Sequence, residues 1–286
     1  MAVATDLDLD LVRSNVPQDT NRAAAFGRRA WSATWPKLLA IAIVIGGWQI
    51  VVWTGHWDEF LVPSPFTVLD RLFSEPATMI TASLVTLRRG IQGFVIAMII
   101  GTFVGIAVAR VKVLRAAIGS MITGLQTMPS VAWVPLAIIL FKEGQATVTF
   151  VVVIGAAPSI ANGIISGIDH VPPLLLRAGR VLGARGLNSL RYVVIPAALP
   201  SVVGGLKQGW AFAWRSLMAA ELIGGVSGKL GIGQLLNGYA TQADYVGVFE
   251  AMIVILIIGV LVDALVFGTI DRAIRRRYGL IDAAAV

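Results

Sequence analysis

Hydrophobic residues fill 57% of this 286-residue chain and its mean hydropathy is +0.81, which excludes an ordinary soluble domain because no polar coat is left. The absence of cysteine excludes a disulfide framework and thiolate metal sites. A net charge of +7 raises nucleic acid as a partner, but the basic residues flank apolar runs instead of forming a patch, so the class is a polytopic membrane protein.

Residues 1–30 are polar, with Asp6, Asp8 and Asp10 alternating with leucine. They lack a basic n-region and a small-residue cleavage site, so a disordered or surface-lying tail is expected, not a signal peptide. Trp31 and Trp35 then stand where an aromatic belt would, beside Lys37, and the first span is expected from Leu38 to Val52. After a polar turn at His56–Phe60, Ser64 suits an N-cap with Pro65 at N1 of a small helix. Phe66, Leu69 and Phe73 would give that helix its apolar face, laid along the outer interface. A second span from Arg89 to Ala109 carries the close-packing motif Gly101-x3-Gly105. Arg110, Lys112 and Arg115 form the basic turn after it.

The third span, Ala116 to Phe141, contains Met128-Pro129 and Val134-Pro135. Such breaks are tolerated only inside a bundle or along a watered path, and both readings stay open here. Lys142-Glu143-Gly144 is the outer turn, and the fourth span, Ala146 to Ile168, is interrupted by Pro158 and holds Gly163-x3-Gly167.

A basic stretch, Pro172–Pro200, follows. Leu174, Leu175, Ala178, Val181 and Leu182 lay one apolar stripe on a short helix, with Arg177 and Arg180 on the other side. Gly183 and Gly186 end it through left-handed backbone. A second short helix, Leu187 to Ile195, is expected to stop before Pro196, giving a proline-bounded knuckle. A solvated loop that merely obeys positive-inside is the competing reading.

The fifth span runs from Ala197 to about Ile223 and the sixth from Val246 to Phe267. In the fifth, Lys207 and Arg215 share one helical face, two turns apart, whereas Glu221 lies six residues from Arg215 and cannot face it. Charges at membrane depth face a bundle interior or an aqueous cavity. Lys207 reads as snorkelling and Asp263 as an interfacial or inter-helix partner. For Arg215 a structural pair with another helix or a second copy competes with a place in a translocation path. Six spans put both termini on one side with most of the 23 basic residues, including Arg272, Arg275, Arg276 and Arg277, which makes that side and the knuckle cytoplasmic.

Arg177-Ala178-Gly179, then Gly183, then Val193-x-Ile195-Pro196 resembles the E-A-A-x3-G-x9-I-x-L-P loop of ABC importer permeases, without a gap. Arg177 stands where that family has glutamate and Gly179 where it has alanine. LVPSPFTVLDRLF, VARVKVLR, TMPSVAWVPLAIILF and GWAFAWRSLMAAELI are similar to the nitrate/sulfonate/taurine/bicarbonate branch, over roughly residues 60 to 275. The resemblance implies an all-α, polytopic bundle of about six spans, of the type I importer kind, in a bacterial inner membrane. It divides the chain into a cytoplasmic tail over 1–36, a first span with its outer turn over 37–60, a permease domain over 61–271 and a cytoplasmic tail over 272–286. The coupling loop, 168–196, would dock on an ATPase through Leu174, Arg177, Ala178, Gly179, Arg180, Leu182, Gly183, Val193, Ile195 and Pro196. Implied partners are a second copy of the chain, two cytoplasmic ATP-binding subunits that hold ATP and magnesium, and an extracytoplasmic solute-binding protein. The solute would be a small oxyanion or organic anion, aliphatic sulfonate or taurine first, then nitrate or bicarbonate. Met128, Pro129, Trp133, Trp210, Trp214, Arg215 and Glu221 are the candidate path residues. With the opposite charge at its position, Arg177 implies an acidic partner on the ATPase.

No catalytic or cofactor constellation is visible. Gly228-Lys229 lacks the upstream glycine of a P-loop, and His56 and His170 fall in loops on opposite sides, which excludes a metal pair. The rivals are an ion-coupled secondary transporter, which wants intramembrane acids and internal repeats, and a same-family permease for an unrelated solute. A membrane enzyme would need clustered catalytic residues, and none appears.

Overall fold

The computed structural model describes residues 22–224 and 228–278, all helix and short connections. The chain divides into two units, Met1–Pro65 and Phe66–Val286.

The first unit is built on α1, Arg22–Trp53. It starts well ahead of the expected Leu38, because Ala23, Ala24 and Ala25 favour helix and Pro36 does not end it. Its candidate span is Thr34–Trp53, whose Leu38, Ile43 and Val44 are exposed in the manner of a lipid-facing helix. Trp48 Nε1 donates to the Pro63 carbonyl at 3.1 Å, which ties the following turn to the helix. Of the tail expected over residues 1–30, the first 21 lie outside the described residues, while residues 22–30 belong to α1; the end of the C-terminal tail also lies outside the described residues.

In the second unit, α2 (Pro65–Ser74) and α3 (Pro76–Arg110) open the bundle. Val68 of α2 is fully buried in the bundle, while Phe66 and Phe73 on its apolar face are exposed. Arg71 decides this orientation. Its guanidinium reaches Asp244 at 2.8 Å and Glu250 at 3.3 Å, pulling the neighbouring Val68 and Leu72 inward. The Tyr239 ring lies 5.2 Å from the same guanidinium; burial pushes its hydroxyl above the usual range, against the pull of Arg71.

The third candidate span is a broken pair. Helix α4 (Lys112–Thr127) meets a 3-10 turn (Ser130–Trp133) and α5 (Val134–Phe141) at a bend of 105°. Only Met128-Pro129 breaks the chain there. Pro135 sits in the first turn of α5, where its missing N–H has no helical partner to lose. Pro158 likewise does not interrupt α6, which runs from Gln145 to Asp169.

Helix α7 (Pro173–Val181) leads into a long continuous helical run. A turn at Leu187–Ser189 and a π-helical stretch at Leu190–Val194 pass directly into α8, Ile195–Ile223. The expected stop before Pro196 does not occur. The preceding π turn, closed by the Ile195 N–H on the Leu190 carbonyl, widens the helix so that the proline ring is accommodated in the next first turn. The result is one 37-residue rod from the knuckle to Ile223, about 55 Å long. Helices α9 (Ile232–Thr241), α10 (Tyr245–Val262), a π segment (Asp263–Phe267) and α11 (Gly268–Arg277) complete the described chain.

Among the described residues five helices are long and apolar enough to cross a bilayer, six with the bent pair. The core lies where α3, α6 and α8 meet, and small residues set the spacing. A Cβ on Gly101 would stand 2.7 Å from the Ala157 carbonyl oxygen, and one on Gly163 would stand 2.5 Å from Cα of Gly205. Backbone touches backbone at both places, as the spacing of the glycine motifs predicts.

Candidate functional site

The knuckle is formed by local sequence rules. Pro172 and Pro173 set the start of α7, and Gly183, at φ +85°, ends it. The Gly183 N–H donates to the Arg180 carbonyl at 3.1 Å and the Ala184 N–H to that of Gly179 at 2.8 Å, the two bonds of a Schellman cap. Gly186 turns the chain again at φ +56°. The inner face rests on Gly179, where a Cβ would come 2.7 Å from a Val193 methyl, so the family's alanine at this position would press on that side chain.

The outer face carries the whole predicted stripe, and none of it is covered. Leu174 is 74%, Val181 88% and Leu182 87% exposed, and Leu187 beyond the turn 82%. These residues make an exposed apolar face on a polar, arginine-bearing turn. Arg177 and Arg180 are exposed beside it; Arg180 Nε donates only to the Leu176 carbonyl of its own helix.

At the other functional candidate, the Met128-Pro129 break meets α8. A cavity of about 440 Å³ is lined by the turn at 126–131 together with Phe212, Arg215 and Ala219. Arg215 is exposed in it. Its Nε donates to the Ala211 carbonyl at 3.1 Å and its guanidinium lies 4.6 Å from the Phe212 ring centre. Among the described residues no carboxylate pairs with it, so its remaining N–H donors face open space. Met128, Pro129 and Arg215 are thus brought together.

Trp133, Trp210, Trp214 and Glu221 are not brought to this cavity. Trp133 packs against the main core. Trp210 and Trp214 are buried in it, stacked at 6.3 Å, with Phe94 edge-on to Trp210 at 5.3 Å. Glu221 is buried at the far end of α8, where its carboxylate accepts from Arg89 at 2.9 Å, from the Thr86 hydroxyl at 2.9 Å and from the Gly233 N–H at 3.1 Å. Arg89 also donates to the Lys229 carbonyl and to Gln234, while Thr86 accepts from the Ile232 N–H. Glu221 thus pairs with another helix, α3, through Arg89. In the sequence Arg89 reads only as the start of a span, and Thr86 is not singled out. The remaining membrane charge, Lys207, pairs with Asp263 at 3.1 Å with both half exposed, the inter-helix partnership expected for that aspartate.

An all-helical membrane bundle with a crossed glycine core, a broken span and an uncovered apolar knuckle defines the permease class of transport subunits. The family model described as "binding-protein-dependent transport system inner membrane component" matches residues 93–277, and the chain belongs to that family. The bicarbonate transport system permease protein CmpB of Synechococcus elongatus is 35% identical over 64% of this chain and 66% of its own. The putative aliphatic sulfonates transport permease protein SsuC of Bacillus subtilis is 26% identical over 84% and 86%. Among solved structures, an inward-facing MetNI methionine ABC transporter chain matches with a TM-score of 0.58 at 20% identity, over 70% of this chain and 98% of that one. That likeness establishes the type I importer permease fold.

Proposed function

We propose that this chain is the membrane-spanning subunit of an ATP-driven, binding-protein-dependent importer of a small oxyanion or organic anion, with aliphatic sulfonate or taurine favoured over nitrate or bicarbonate. The observation that carries the anion is Arg215, a permanently charged group without an acid partner in a cavity at a broken span. The names of the bicarbonate and sulfonate relatives support the same class.

The chain acts as one half of a two-fold permease with its termini and knuckle in the cytoplasm. Two ATPase subunits, which bind ATP and magnesium, grip the apolar stripe of α7; an external binding protein delivers solute. ATP-driven closure of the ATPases draws the knuckles together, and the unbroken rod from Leu187 to Ile223 tilts, turning the path outward. The permease makes and breaks no covalent bond.

Ion-coupled secondary transport is disfavoured by the membrane acids, since Glu221, Glu250 and Asp263 each hold a basic partner. The test is uptake of labelled alkanesulfonate, taurine and nitrate by vesicles carrying the whole assembly. Uptake that needs ATP and the binding protein, and survives collapse of ion gradients, is expected; uptake driven by a gradient without ATP overturns the proposal.

The knuckle carries a separate expectation. Gly183→Asp forces a side chain into left-handed backbone and should uncouple ATP hydrolysis from uptake while the protein still inserts. Normal uptake by that variant would remove α7 as the ATPase contact.

A further inference from the structure

A second cavity, of about 280 Å³, opens between α3, α6 and α8 immediately above the knuckle. Its walls are aliphatic: Ile106, Ile168, Leu190, Val194 and Val202 among them. Thr102 and Arg110 both line it, so along α3 it extends eight residues, about 12 Å. Arg110 is the last residue of α3, at the mouth. We propose that this cavity binds one acyl chain of an anionic phospholipid, with Arg110 holding the phosphate.

Three observations select that occupant. The lining is almost wholly hydrocarbon, which suits a lipid tail and repels a polar solute. The one charge at the mouth is basic and exposed, and among the described residues it forms no ion pair or side-chain hydrogen bond. Of the other two basic residues in that turn, Arg115 is committed to Asp169 at 2.7 Å and Lys112 does not line the cavity, so Arg110 is the cation placed to serve it. An arginine at the end of a membrane helix beside an apolar cleft is the chemistry that retains anionic headgroups.

The place of the cavity gives the lipid a consequence. Leu190 and Val194 belong to the π-helical stretch, where the widened turn opens the cleft. A bound tail therefore touches α3 and the base of the rod at once. Occupancy fills the space into which the π turn could otherwise collapse, so the lipid props the knuckle at a fixed angle to α3.

The test uses the full complex in nanodiscs and does not depend on which solute is carried. Phosphatidylglycerol and phosphatidylcholine with identical chains, each bearing a photoreactive group on the tail, are offered in turn. Cross-links from phosphatidylglycerol should map to residues 102–110, 164–168 and 190–202. Arg110→Gln should cut them about fivefold, with Arg110→Lys largely retaining them. Ile106→Trp should block them for both lipids. Equal labelling by the two lipids, labelling unchanged in Arg110→Gln, or cross-links that map elsewhere in the wild-type chain would each overturn the proposal. The wild-type mapping needs no variant to fold. Failure of ATP-driven uptake would count against the transport reading alone.

Discussion

Replacing Glu221 with alanine is expected to cost the protein about 3–5 kcal/mol, because it strands Arg89 in the bundle without a counter-charge. The carboxylate is 1% exposed and is the meeting point of α3, α8 and the start of α9. Arg89→Ala should be comparably damaging, since it leaves Glu221 buried with only the Thr86 hydroxyl and the Gly233 N–H. The double variant Arg89→Met with Glu221→Leu removes both charges and fills similar volume, so its loss should be well below the sum of the two single losses. Thermal melting of the purified protein in detergent, followed by size exclusion, measures all three. Single variants that melt with the wild type, or losses that simply add, would show that the pair does not hold these helices together.

The network also explains how movement at the knuckle could reach the opposite face. The rod from Leu187 ends at Ile223, and Glu221 sits in its last turn. Through Glu221 the end of the rod is bonded to Gly233 of α9, and through Arg89 to the Lys229 carbonyl. These bonds link the end of the helical run that starts at the knuckle to the loop and helix that follow it.

How much of this could be read in the sequence differs between local and long-range features. The knuckle was legible because its determinants are local: prolines at the start, glycines in left-handed backbone at the end, and leucines in helical register. The Gly101 and Gly163 motifs were legible for the same reason, since a missing side chain predicts close approach whatever the partner. Pro196 was misread because proline at the head of a helix and proline beyond its end look alike locally; the π turn that joins the two segments has no sequence mark here. Trp210 and Trp214 stand beside Arg215 in sequence, yet successive positions on a helix point to different faces, and both rings belong to the core. The Arg89–Glu221 pair, separated by 132 residues, had only an indirect signal. A buried acid demands a base somewhere, and Arg89, which opens the second span, carried no local mark of being that base.

Arg215→Met is expected to lower uptake of the anion about 10- to 100-fold while the complex still assembles, the loss that follows from removing one charge-assisted hydrogen bond to the solute. Assembly should survive because Arg215 is exposed and, among the described residues, its one hydrogen bond runs from Nε to the Ala211 carbonyl of its own helix. Stacking over Phe212 orients the guanidinium plane and leaves the terminal N–H donors free to fork onto two oxygens of a sulfonate or nitrate. Binding there must stay weak, since a solute that cannot leave is not transported. Arg215→Lys keeps the charge without the fork and should retain part of the rate. The comparison is made in vesicles, with taurine, an alkanesulfonate and nitrate as solutes and ATPase activity followed in parallel. Wild-type uptake by an assembled Met variant would show that the solute does not touch Arg215, and loss of assembly would show that the residue serves the structure instead. Loss of uptake for anions with binding-protein-stimulated ATPase activity intact would place the guanidinium on the path.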